Sequence, residues 1–97
     1  MTAKKHSPLY QWEQEMLDAF HDYQWHLVLD PLYEKFQHWK AGELSHEELD
    51  EAIHKTHKDC QKVYSLFTNN HDFLVSAIQV NEDWFPKWVN DHPKPGE

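Results

Sequence analysis

The stretch WHLVLDPLYEKF, residues 25–36, decides the fold. Proline disfavours helical geometry in the residue before it. Asp followed by Pro is equally a good helix start, because the carboxylate caps free N–H groups and proline at the first helical position has none to lose. The segment from Pro8 to Ala41 is therefore either one kinked helix or two helices with a corner at Asp30-Pro31. The apolar pattern shifts at this point. At about 100° per residue, Leu9, Trp12, Met16, Ala19, Phe20, Tyr23 and Leu27 share one face, whereas Leu32, Tyr33, Phe36 and Trp39 lie roughly opposite on an unbroken helix. Trp25, Val28 and Leu29 already begin that second surface ahead of the proline. An unbroken helix here is about 50 Å long, against a radius of gyration of about 13 Å for a compact domain of this size. A rod with apolar faces on two sides needs a second copy to cover it, while a corner lets one chain close on itself. The surface begun before Pro31 favours the rod and an assembly.

Outward from this stretch every signal is helical. Ser7-Pro8 is a start signal, and Gly42 ends the first segment, since glycine tolerates the left-handed geometry of many helix exits. Ser45-His-Glu-Glu48 is a capping box, with Leu44 and Leu49 at the two positions of a hydrophobic staple. A second helix then carries Leu49, Ala52, Ile53, Thr56, Cys60, Val63, Tyr64 and Phe67 on one stripe and stops at Asn69-Asn70. A third runs from about Asp72 to near Val80, and Asn81 to Asp83 lead into a short helical turn over Trp84-Phe85-Pro86-Lys87-Trp88-Val89. No strand alternation, internal repeat or low-complexity tract is present. The expected fold is an all-α bundle of three to four helices completed by self-association. A single domain spans 7–90, with flexible tails over 1–6 and 91–97.

Composition excludes several classes. Five Trp, five Phe and four Tyr in 97 residues supply enough area for a core and argue against disorder. The formal charge is −8 and every basic residue is lysine, so the clustered Arg and Lys that neutralise phosphate and read bases are missing. Nucleic acid is not an expected partner. Nor is a membrane, because no stretch approaches the roughly 18 apolar residues of a span. One cysteine, Cys60, and an N-terminus without an apolar leader point to the cytoplasm. Two glycines, Gly42 and Gly96, leave no phosphate-cradling loop.

Nine histidines are the chemical signature of the chain, and full protonation would take its formal charge from −8 to +1. Asp50, His54 and His57 stand at i, i+4 and i+7 in a column beside the second stripe. Neutral imidazole and carboxylate suit a divalent first-row metal such as Fe, Zn or Mn, and helix-borne ligands at these spacings build metal centres in bundles. Glu51-x-x-His54 has the spacing of di-iron bundles, but Glu51 points away from the stripe and works only against another subunit. Glu34 and His38 are a further helix-neighbour pair. On an unbroken helix they continue the face of Phe20 and Leu27 and are buried; on a restarted helix they are exposed. The ordinary alternative for all these groups is a solvated flank. Cys60, one turn from His57, lies within the apolar stripe and reads as a small buried hydrophobe rather than a nucleophile.

Trp84, Phe85 and Trp88 are the best interaction anchors in the sequence, with Trp25, Phe36 and Trp39 as a second set; their alternative use is to lid the core. Three functions follow. The leading one is a non-catalytic protein–protein interaction module, a small acidic helical adaptor or regulatory subunit that self-associates. The second is a metal-binding bundle using Asp50, Glu51, His54 and His57 with Glu34 and His38 of a partner helix. The third is a di-iron oxidase assembled at a subunit interface.

Overall fold

The computed structural model describes residues 7–96. Among them are four α-helices and no strand: α1 (Pro8–Lys40), α2 (His46–Leu66), α3 (His71–Gln79) and α4 (Phe85–Asp91). The chain is a small all-α fold. None of the helices is long and apolar enough to cross a membrane. The tail expected over 1–6 lies outside the described residues.

Pro31 sits inside α1, which continues for nine residues beyond it, so the corner is not formed. Its cost is local. Residue 31 cannot donate to the Leu27 carbonyl, and the ring crowds that carbonyl. Asp30, the residue whose helical geometry the proline opposes, is tied one turn back, with His26 Nδ1 3.0 Å from Asp30 Oδ1.

The chain divides into two compact units, one holding residues 7–22 and 69–96 of the described chain and the other Tyr23–Thr68. In unit 1 the start of α1 packs with α3 and α4. Trp12, Met16, Leu17 and Phe20 are buried on α1, Leu74, Val75 and Ile78 on α3, and Trp88 on α4. The stripe read from the sequence is buried or half-buried from Leu9 to Tyr23 and fails at Leu27, which is 53% exposed. Beyond residue 22 the half-buried positions of α1 are Tyr23, Gln24, Trp25, Val28, Leu32 and Trp39, and from Trp25 onward they lie about a third of a turn around the helix. Asn81 starts the approach to α4: its Oδ1 accepts from the backbone N–H of Asp83 and of Trp84, and its carbonyl accepts from Phe85. Asp91 belongs to α4, and ordered contacts continue to His92, beyond the expected start of the C-terminal tail.

Unit 2 is a hairpin of the rest of α1 and α2. The turn obeys its local chemistry. Gly42 N–H donates to the Trp39 carbonyl and Glu43 N–H to the His38 carbonyl, the paired bonds of a Schellman exit, with Gly42 at φ +80°. Ser45 Oγ accepts from Glu48 N–H while Glu48 Oε1 accepts from Ser45 N–H, both at 3.0 Å, so the capping box closes. Leu49 is buried and Leu44 half-buried, as a staple requires. The bond from the Ser45 backbone, helped by the Ser45 hydroxyl and the charge of Lys35, holds the Glu48 carboxyl below its ordinary range.

Two outcomes are expected. Pro31→Ala restores the bond to the Leu27 carbonyl. A helix-interior proline costs about 3 kcal/mol and a freer unfolded chain gives back up to about 1, so denaturant unfolding should show a gain of about 2 kcal/mol; an unchanged or lower midpoint would mean that packing requires a bend at 31. Glu48 has a depressed folded value, so its contribution is present above the unfolded carboxylate value of about 4.3 and is lost as pH falls through the folded one. Glu48→Gln keeps an acceptor for Ser45 without the titration. Its stability deficit against the native chain, followed by unfolding from pH 6 down to 2.5, should therefore shrink on acidification; a constant deficit contradicts the assignment.

Candidate functional site

The histidine and carboxylate candidates are all on unit 2, and the structure joins them in pairs. His54 Nε2 lies 3.4 Å from Asp50 Oδ2, with both side chains at least 70% exposed. His57, the third member of the column, faces Gln61 instead, 3.4 Å from Nε2 to Nε2. Glu51 is exposed. Glu34 and His38 are exposed although α1 is unbroken, because the buried face of α1 has moved around by then. His38 Nδ1 is 3.0 Å from Glu43 Oε1 across the helix exit rather than paired with Glu34. Among the described residues no three His, Cys, Asp or Glu side chains converge where one metal ion could sit. Cys60 is half-buried, in keeping with its place on the stripe.

The tryptophans near the C-terminus turn inward. Trp84 stacks on Trp88 with centroids 5.6 Å apart, and it meets Phe20 edge-on at 5.1 Å. Trp12 lies against Trp88 at 5.7 Å and Phe85 at 6.4 Å. The Trp12 indole N–H donates to the His92 carbonyl at 2.7 Å, and His92 stacks flat on Trp88 at 4.6 Å. Trp84, Phe85 and Trp88 thus form the aromatic core of unit 1, the lid alternative, and Trp88 is buried. In unit 2, Trp25 meets Tyr64 of α2 edge-on at 5.1 Å, and the Trp39 indole N–H donates to His46 Nδ1 at 2.9 Å. An indole only donates, so that bond requires His46 Nδ1 to be unprotonated. Of the six aromatic candidates, Phe36 is the one left broadly open, at 40% exposure.

One arrangement escaped the sequence, and another was foreseen only in part, as the second apolar face of α1 that carries Tyr33 and Phe36. His71, the first residue of α3, places Nε2 3.0 Å from Glu13 Oε1 and stacks on Tyr10 at 4.8 Å, a half-buried link between positions 58 residues apart. No local spacing announces a contact of that separation. The other is the surface of unit 2. Among the described residues, six of the eight exposed large hydrophobic side chains belong to it, namely Leu27, Leu29, Tyr33, Phe36, Ile53 and Tyr64, whereas eight of the ten buried ones belong to unit 1. Leu29, Tyr33 and Phe36 form a row on α1 at steps of four and three residues. Given the Trp25–Tyr64 contact, the helical-wheel positions of Ile53 and Tyr64 fall on the same side of the hairpin. A shallow depression of about 460 Å³ lies at the end of the row, between Tyr33, Phe36, Gln37 and Lys40. The face is a row of large apolar groups with Asp30 and Lys40 beside it.

No protein-family model, curated protein or solved structure matches the chain.

Proposed function

We propose that this chain is a non-catalytic protein–protein interaction module, a small acidic helical adaptor or regulatory subunit, which self-associates through the bare face of unit 2. One observation carries the reading: unit 2 keeps just Leu49 and Val63 buried while Leu29, Tyr33, Phe36, Ile53 and Tyr64 stand exposed. Two helices in contact hide one strip of each, and the remaining apolar strips gain free energy, about 25 cal/mol per Å², once another surface covers them. Contiguous exposed apolar groups with a polar rim mark a docking site. Asp30, Gln37 and Lys40 supply the rim here. Four-helix bundles are the stable form of such a pair of hairpins.

Analytical ultracentrifugation tests it. The native chain should sediment above its 11.7 kDa single-chain mass, and Tyr33→Ser with Phe36→Ser should return it to that mass with the helical circular dichroism retained. A native chain that runs as a monomer at every concentration overturns the proposal.

A further inference from the structure

Resting on that docking face, we infer that two copies pair through α1 running antiparallel, with Tyr33 of each copy on Phe36 of the other and Lys40 of each beside Asp30 of the other. His26, Leu29, Tyr33, Phe36 and Lys40 follow alternating steps of three and four residues and are all exposed. That is the spacing of a seam between helices crossing at about 20°.

Charge selects the direction. Asp30 stands at the N-terminal end of the apolar row with its side chain 66% exposed, and Lys40 stands at the other end, ten residues or about 15 Å along the axis. Parallel copies would place Asp30 on Asp30 and Lys40 on Lys40. Antiparallel copies with the two-fold axis between Tyr33 and Phe36 place each lysine at the level of the other copy's Leu29 and Asp30. The same axis stacks two Tyr33–Phe36 pairs, and aromatic pairs add to the gain from area alone. Sliding by one heptad, so that Leu29 meets Tyr33, brings the two Asp30 carboxylates together and parts the aromatic pairs. In that slid register Lys40 would meet Asp22 instead.

The second helix agrees with the chosen register. Ile53 of α2 is 39% exposed and lies between the Trp39–His46 and Trp25–Tyr64 contacts along the hairpin, level with Tyr33 and Phe36. The axis that pairs those aromatics therefore also turns one Ile53 toward the other.

Sedimentation equilibrium of the full chain at low salt decides it. Lys40→Asp and Asp30→Lys should each weaken self-association about tenfold, since each turns two opposite-charge contacts into like-charge ones. The chain carrying both changes, and an equimolar mixture of the two single variants, should recover it, while Asp22→Lys changes nothing. Single variants that associate like the native chain, with a mixture tighter than native, mean parallel pairing and overturn the inference. Charge variants without effect, where Tyr33→Ser and Phe36→Ser still dissociate the chain, overturn this geometry and leave the docking face standing. A native monomer removes both.

Discussion

Two helices that touch along one seam can each hide one strip of surface, and unit 2 is made of two helices. Its α1 segment is apolar over more than one strip. Trp25, Val28, Leu32 and Trp39 are half-buried, and Leu29, Tyr33 and Phe36 lie outside them in water. Unit 1 escapes the constraint by having three helical pieces and a set of indoles in mutual contact, so most of its large apolar residues close on one another. The contrast is one of element number rather than composition, for the two units are of similar length and both are rich in aromatics.

Much of the fold was legible because its punctuation is local. The Schellman exit at Gly42, the Ser45–Glu48 box and the Asn70 cap of α3 each act within a few residues, and the sequence carries them in full. Pro31 was ambiguous for a physical reason: the same dipeptide caps a new helix or is carried inside an old one, and the cost of carrying it is set against the packing on either side. The aromatic anchors were misallocated for a different reason. Trp84 and Trp88 at i and i+4 look alike whether they face a partner or their own chain, and the deciding neighbours, Trp12 and Phe20, stand more than sixty residues away. The Glu13–His71 contact was hidden in the same way.

The histidines illustrate the limit of spacing as evidence for a site. Asp50 and His54 meet as an i, i+4 pair should, yet a metal centre needs a third donor from another direction, and helix-neighbour geometry supplies donors along one face alone. His57 turns to Gln61, His38 to Glu43, His26 to Asp30 and His71 to Glu13. These four histidines, on three helices, each face a separate polar partner.

The net charge bears directly on the proposed self-association. Two copies at −8 repel over distances comparable with the Debye length, about 8 Å at physiological ionic strength. A docking face built only of apolar groups would meet this repulsion with no preference for orientation. A row with an acid at one end and a lysine at the other is attractive in one orientation and repulsive in the reverse, so it supplies direction where the net charge supplies only distance.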